Sequence, residues 1–543
     1  MPFLRTKNYT HFEVVNETTY EVLHTFEGGS HAKKALLGDE VALDVSNTLT
    51  LVARAPHPIL AGYLELNSKT TYGLTKKGMP LYLFVPLHPA YPSFMVASSS
   101  KDRSTKQVAL VEFLEWAPDR ILPRGALKQL LGPAGDLKAE EAALLWNACP
   151  WSSLTQGLTV LEDDCPSRPI LKGTTFNIDP EGCKDIDDCV TLLQVGEDWL
   201  LTITIADVAS AIEELGAVDC MAAAQGQTLY RDGVAVKPML PPFYSENECS
   251  LVPGVPRRGI SLTMAFNKHL TFCDPIWSET LLVNQTSYTY ESFEKSAEAE
   301  VLGRLVSAIH GSPVTDPHEW IEVLMVYYNT EAAKLLLKAG VGILRTHSEP
   351  DLARLEKYTK MGPDLKALAS SAAQYTLIGS QATYEHWGLG RSAYCHASSP
   401  LRRYADLANQ RLLKQLIRGN TKSLIVSVPM EDLNQRAKVS KGYERDRVFL
   451  NALLSNGKRV FDAIVLDLED LEGFAKVCVW IPEWQQRVKI RAKIVEKTDR
   501  MWRVGSADES ESHELSEGQA IRVECGMNVG ARRWKDRLVL RIL

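Results

Sequence analysis

The sequence predicts an α+β multidomain protein, with a mixed α/β core flanked on both sides by small β-barrels. Three observations carry that prediction. The chain has 543 residues, several times the ~150 of a typical domain. Both ends read as short β-type runs separated by turn residues, while the middle alternates strand and helix patterns. An apolar content of 45% and a charged content of 23% fit a globular chain and exclude a disordered tail, a collagen-like rod or a disulfide scaffold.

In the first 145 residues, YLELNSKTTYGL (63–74) and LYLFVPL (81–87) are β-type runs with a Gly78/Pro80 turn between them. VALVEFLEW (108–116) is a third. Short strands at this spacing suggest two small barrels of the OB type, the first of them truncated. A Pro- and Cys-containing linker follows from about 146. DWLLTITIADVASAI (198–212) predicts a strand entering a turn at Ala206–Asp207. WIEVLMVYYNTEAAKLLLK (320–338) has apolar residues at helical spacing and no breaker, and 406–417 and 433–454 read as amphipathic helices. From about 461, alternating runs (DAIVLDL, AKVCVWI, RVKIRAKIVE, MWRVGS, AIRVECG, DRLVLRIL) predict a third barrel. The acidic stretch ADESESHELSEG (507–518) between them is expected to be a solvated loop.

With a net charge of −7 the chain is not a uniformly basic nucleic-acid binder, so any polyanion must meet locally basic surfaces. The ten cysteines form no C-x-x-C pair, which argues against zinc ribbons and for buried reduced thiols. No run approaches the ~18 apolar residues of a membrane span. The first residues, MPFLRTKNYTHFEVV, resemble neither a signal nor a transit peptide. An intracellular, cytoplasmic location is expected, with an organelle left open.

The most informative segment is FNIDPEGCKDIDDCV (176–190), which places Asp179, Asp185, Asp187 and Asp188 within ten residues. It reads either as a solvated acidic loop or as a cation site. Four carboxylates this close repel one another when partly desolvated, and a hard, oxygen-seeking Mg²⁺ (or Mn²⁺) relieves that conflict. An EF-hand is excluded: counting from Asp179, Lys184 stands where Gly is needed and Val190 where Glu is needed.

The spacing D-P-E-G-x-K-D-I-D-D, followed by IADV (205–208), KPMLPP (237–242) and CSLVPG (249–254), resembles the ribonuclease II family. So do YNTEAAKLLL (328–337), ILRTH (343–347), YCHASSPLRRYADLANQRLL (394–413) and YERDR (443–447), which follow in the family's order. The resemblance implies a catalytic RNB domain over 146–460. It also implies cold-shock/OB-like barrels over 1–57 and 58–145 and a C-terminal OB-type RNA-binding domain over 461–543. Within the C-terminal domain Trp480, Trp484, Arg487, Lys489, Arg491, Lys493, Trp502, Arg503, Arg532, Arg533 and Trp534 are expected to offer phosphates and bases an interleaved surface.

By the same resemblance Asp179, Asp185, Asp187 and Asp188 are the catalytic and metal-holding carboxylates, Asp187 the most sensitive. Arg402 is the transition-state stabiliser, and Arg257, Arg403 and Tyr404 belong to the RNA-binding set. Tyr230 is the tyrosine that stacks on a terminal base. Val341 stands where the family places the second, aromatic wall of that clamp. HAS (396–398) replaces H-F-T, and Gln410 replaces a His before Arg411. His396 is expected to be structural.

The implied activity is hydrolytic, metal-dependent 3′→5′ degradation of single-stranded RNA to nucleoside 5′-monophosphates and a short limit oligonucleotide. The alternative is an inactive RNB scaffold that binds RNA in storage or translational control; degenerate members of that kind lack catalytic aspartates. Single-stranded RNA is the expected partner, with no membrane involved, no protein partner assigned, and a chain able to act as a monomer.

Overall fold

In the computed structural model the residues described are 1–17, 19, 21–165, 167–421, 424–426, 428–454, 459–498, 501–505, 512–528, 531 and 537–543. They form two compact units, Met1–Ser152 with Lys441–Leu543, and Ser153–Ser440. Arg532, Arg533 and Trp534 lie outside the described residues.

The first unit begins with an open five-stranded sheet over Pro2–Ala53, so the domain expected to be truncated has five strands. A closed five-stranded barrel follows, built from Leu60–Leu64, Leu81–Pro86, Phe94–Ala97, Gln107–Glu115 and Arg124–Pro133. The run expected over 63–74 stops as a strand at Leu64, where Ser68 N–H turns back onto Glu65 O. Gly62 is required inside this barrel, since a Cβ there would lie 2.3 Å from Val85 O. The first 145 or so residues read mostly as strands and turns, and among them Leu137–Ala148 is a helix, started by the Asp136 carboxylate accepting from Ala139 N–H. Its buried Glu140 receives Tyr63 OH and pairs with Arg537 at 3.1 Å.

The C-terminal strands form a seven-stranded sheet, with Ser512–Leu515 added beside Trp502–Gly505. That strand falls within the acidic stretch expected to be a loop. Along Gln486–Lys497, Val488, Ile490 and Ala492 face the core while Lys489, Arg491 and Lys493 face outward. Trp480, Trp484 and Trp502 are buried. The expected mixture of cations and aromatics on one surface therefore resolves into core tryptophans beneath an outward cationic row.

The second unit is built on a six-stranded sheet in the spatial order Ile276–Val283, Pro256–Phe266, Asp198–Ala206, Asp188–Val195, Thr174–Ile178, Thr286–Tyr288. Phe176, Val190, Leu192, Leu201, Ile203, Leu262 and Met264 form one hydrophobic cluster with Trp320, Leu324, Tyr328 and Leu336 of the helix Pro317–Ala339. Asp316 caps that helix and Gly340, at φ 74°, ends it. A second cluster gathers Cys189, Ala206, Val208 and Leu251 with Tyr404 and Leu407 of the helix Tyr404–Ile417. Buried hydroxyl pairs, Thr175–Thr191, Thr202–Thr263 and Thr204–Ser261, satisfy one another across the sheet at 2.8–2.9 Å. Cys149, Cys189, Cys249, Cys395 and Cys525 are buried, but Cys220 and Cys273 are exposed, contrary to a uniformly buried set. Among the described residues no helix is long and apolar enough to cross a membrane.

Candidate active site

The acidic segment leaves the strand Thr174–Ile178, turns at Gly182 (φ 80°) and re-enters the sheet at Asp188. The turn is held from outside. Ser250 Oγ accepts from Ile186 N–H at 3.0 Å and donates to Lys184 O at 2.7 Å, and Leu251 N–H donates to Ile186 O. Asp179 is oriented by Asn177 Nδ2 at 2.8 Å, and Asn177 in turn receives Asn284 and Ser287. Asp185 accepts from Tyr230 OH at 3.2 Å.

Asp187 lies deepest. Its carboxylate accepts from Leu401 N–H and from Arg402 Nε, each at 3.0 Å, and its carbonyl accepts from Ala206 N–H at 2.8 Å. Burial pushes the Asp187 carboxyl up to about 7 against the pull of Arg402 and the Leu401 N–H. Burial, together with the charges on Asp179 and Asp187, pushes Asp188 well above the carboxylate range, and burial raises Asp179 as well. These are oxygen donors under mutual repulsion and short of positive charge, so the donor set fits a hard divalent cation.

Asp179, Asp188 and Arg402 line one cavity of about 320 Å³. Its other walls come from the helix Pro317–Ala339, through Ile321, Met325 and Asn329, and from Tyr290, Leu389 and Tyr394. Sequence reasoning missed Tyr290, whose ring stacks on His318 with centroids 3.8 Å apart, and Asn329, which holds Tyr394 OH, Ser398 Oγ and Ala397 N–H. Asn329 had a signal: a polar residue on the 321/325/329 stripe of an otherwise apolar helix face.

The structure separates the remaining expected residues. Arg403 makes two hydrogen bonds to Asp406, at 2.9 and 2.7 Å, and that carboxylate also receives Ser399 N–H. Arg402, not Arg403, is the guanidinium turned to the aspartates. Tyr404 is corrected: only 2% exposed, with its OH donating to buried Asp219 at 3.1 Å, it cannot meet RNA. Val341 packs against the core cluster and does not line the cavity, so it forms no wall there; Leu389 does line it. Arg257 Nε donates to Ser250 O at 2.9 Å, bracing the residue that holds the acidic turn. His396 is a hydrogen-bonding partner of Tyr375 OH, as expected.

Among the described residues, one acidic trio has oxygens mutually within 4.8 Å: Asp164, Asp207 and Glu279. It is no metal site. Arg168, Lys414 and Arg418 fill it with contacts of 2.5–3.4 Å.

The RNB domain family matches residues 168–301 and 295–419, and the Dis3-like cold-shock domain 2 matches 81–148. The chain is 27% identical over 418 residues to ribonuclease R of Helicobacter pylori, covering 60% of this chain and 61% of the relative. It is 24% identical over 457 residues to a probable exosome complex exonuclease of Caenorhabditis elegans, covering 66% and 48%. It thus spans about half to three-fifths of the length of these relatives. Among solved structures, Mycoplasma genitalium RNase R in complex with ribose-methylated single-stranded RNA aligns over 100% of both chains, with a TM-score of 0.70 at 16% identity. Yeast Ssd1, described as a pseudonuclease, aligns over 93% of this chain and 81% of its own, with a TM-score of 0.63 at 15% identity. By these matches the chain carries an RNB domain preceded by a Dis3-like cold-shock domain, and it resembles the ribonuclease II family of RNB-domain proteins.

Proposed function

We propose that the chain is a hydrolytic, metal-dependent 3′→5′ exoribonuclease that degrades single-stranded RNA to nucleoside 5′-monophosphates and a short limit oligonucleotide. One observation carries the reading: Asp179 and Asp188 share a cavity, with Asp187 behind it, where Arg402 bonds to Asp187 while Arg403, on the same wall, is paired with Asp406. Asp179, Asp185, Asp187 and Asp188 would hold Mg²⁺ or Mn²⁺. When bound, such an ion lowers the pKa of a water and offsets phosphate charge. Arg402, its side chain 44% exposed, is free on one side to pair with a phosphate oxygen. Tyr230, steered by Asp185, would present its ring to the 3′-terminal base, which is worth about 1–3 kcal/mol. Arg403 acts indirectly, by fixing Asp406 and the Ser399 backbone.

The structural likeness to a pseudonuclease supports a second reading, an RNA-binding scaffold without turnover. The deciding experiment uses 5′-labelled single-stranded RNA with the purified chain, in Mg²⁺ or in EDTA. A Mg²⁺-dependent ladder shrinking from the 3′ end supports the nuclease. Intact RNA in both lanes, with a shifted band on a native gel, supports the scaffold.

A further inference from the structure

Gln410 is buried in the helix Tyr404–Ile417, 1% exposed, where the family usually has a His. Its side chain makes two hydrogen bonds. Nε2 donates to Ala206 O at 2.7 Å and Oε1 accepts from Ala209 N–H at 3.0 Å. Ala206 is the last residue of its strand, and its own N–H donates to Asp187 O. At the other end of the same segment, Leu401 and Arg402 hold the Asp187 carboxylate. Asp187 is therefore gripped twice by one stretch of chain, its side chain through 401–402 and its main chain through Ala206 and Gln410.

We infer that Gln410 is a positioning residue for the catalytic centre, setting where the Asp187 carboxylate stands by fixing the Ala206–Ala209 turn to the helix that directly follows Arg402 in the chain. The geometry supports this in three ways. The turn lies beyond the end of the sheet ladder, so Ala206 O and Ala209 N–H take their hydrogen bonds from Gln410. An amide offers one donor and one acceptor at the needed separation, which no aliphatic or hydroxyl side chain of this position can supply. The helix is also anchored away from the turn, by Asn409 to Ile343 and to His396 O, so it is a fixed support for Gln410, and Lys414 on Asp207 holds the same turn one helical turn further on. Residues that orient a metal-holding group from behind typically govern affinity or activity by about 10–100-fold.

The inference rests on the nuclease reading, and the experiment keeps the two apart. Gln410→Leu, Gln410→Asn and Gln410→His are compared with the unaltered chain in single-turnover RNA cleavage, in RNA affinity without metal, and in Mn²⁺ affinity by electron paramagnetic resonance. Leu removes both hydrogen bonds, Asn is one methylene too short to span them, and His again offers a donor and an acceptor. Leu262→Ala, in the same sheet core, controls for lost stability. Gln410→Leu should lower kcat by about 10–100-fold and Mn²⁺ affinity by about tenfold, with KM and metal-free RNA affinity within about threefold. His should restore most of both, and Leu262→Ala should keep kcat at equal or greater loss of Tm. If Gln410→Leu does not fold, the same outcome is read from Gln410→Asn. Unchanged kcat and Mn²⁺ affinity, or a kcat that merely follows Tm as in Leu262→Ala, overturns the inference. An unaltered chain that binds Mn²⁺ without cleaving RNA refutes the nuclease reading alone, and the Mn²⁺ affinities then decide on Gln410. A chain that does neither overturns both.

Discussion

Asp187→Asn is the sharpest perturbation available, because it changes charge and almost nothing else. An asparagine Oδ1 can still accept from Leu401 N–H, but its amide turns a donor toward Arg402 Nε–H, which then has no acceptor there and points a proton at a proton. Losing that charge-assisted bond costs about 1.5–3 kcal/mol. Against this stands the cost of ionising a buried acid beside Asp188. Each pH unit of upward shift is about 1.4 kcal/mol, and Asp187 titrates near about 7 rather than in the carboxylate range. The upward shift is already net of that bond, so without metal the variant should be at least as stable as the parent at neutral pH. The sign of the pH dependence follows. Between the ordinary carboxylate pKa and about 7 the folded parent holds a proton that the unfolded chain has released, so its stability falls as pH rises through that window. Asparagine has no such proton. In EDTA, the Tm difference between variant and parent should therefore grow from pH 5 to pH 8 in the variant's favour. RNA hydrolysis in Mg²⁺ should fall by at least 10³-fold, about 4 kcal/mol of barrier, with RNA affinity in EDTA unchanged within about threefold. Hydrolysis within tenfold of the parent, or cleavage and binding lost together in a folded protein, would refute the role assigned to Asp187.

Tyr230 can be tested for its ring and its hydroxyl separately. Tyr230→Phe should keep the limit product and slow cleavage only a few-fold, since it loses one hydrogen bond to Asp185, whereas Tyr230→Ala should lengthen the limit product by losing a stack of about 1–3 kcal/mol; identical gel ladders for both would count against stacking. Tyr404→Phe leaves Asp219 with one donor fewer in the core and should lower stability by about 1–3 kcal/mol by chemical denaturation, with RNA affinity unchanged; a selective loss of RNA binding would restore Tyr404 to the binding set. Lys414→Met uncovers buried Asp207 and should cost about 3–5 kcal/mol, with no rescue of Tm by millimolar Mg²⁺; rescue would mean that the Asp164/Asp207/Glu279 trio takes metal after all.

What the sequence made legible, and what it hid, follows from how local each feature is. The strand into Ala206–Asp207, the helix around 320–338 and the acidic turn are written in contiguous residues, and each forms as expected. The helix at 137–148 was missed although Asp136 and the Ala/Glu/Leu run after it are ordinary helix signals, because the strand pattern before it set the expectation. The fates of Tyr404, Val341 and Arg403 could not be read in one dimension. Arg402 and Arg403 precede the helix Tyr404–Ile417, Arg403 as its N-cap in an extended conformation, so consecutive side chains diverge and Arg402, Arg403 and Tyr404 face the aspartates, Asp406 and the core respectively. A motif names all three alike, and only the fold separates them. The tryptophans of the C-terminal sheet make the same point with period two: alternation along a strand says that two faces differ, and the neighbouring strands decide which face is wet.

The choice between a nuclease and a binding scaffold comes down to where this unit spends its cations. Beside Asp163, Asp164, Asp207 and Glu279 it sets Arg168, Arg258, Lys414 and Arg418, charge for charge, all within ion-pair distance. That is how a fold neutralises buried acids when nothing else will. Less than one turn away in sequence from the same Asp207, Ala206 supports Asp187. There, with Asp179, Asp185 and Asp188 alongside, Arg402 pairs with Asp187, and Arg403, on the same cavity wall, is paired with Asp406. Burial pushes the Asp179, Asp187 and Asp188 carboxyls up, and whenever these acids are ionised an approaching RNA phosphate meets like charge, at about 4 kcal/mol per pair at ~4 Å in a medium of effective dielectric ~20. A surface selected only to hold RNA would gain by replacing these aspartates with neutral residues. Keeping all four makes physical sense when a divalent cation completes the site and the phosphate is drawn to the ion. The donor set that a divalent cation would complete is thus what separates the two readings: metal-dependent RNA affinity confined to the 3′ end is the signature expected of the proposed enzyme, and RNA binding that Mg²⁺ leaves untouched would remove the ground for preferring it.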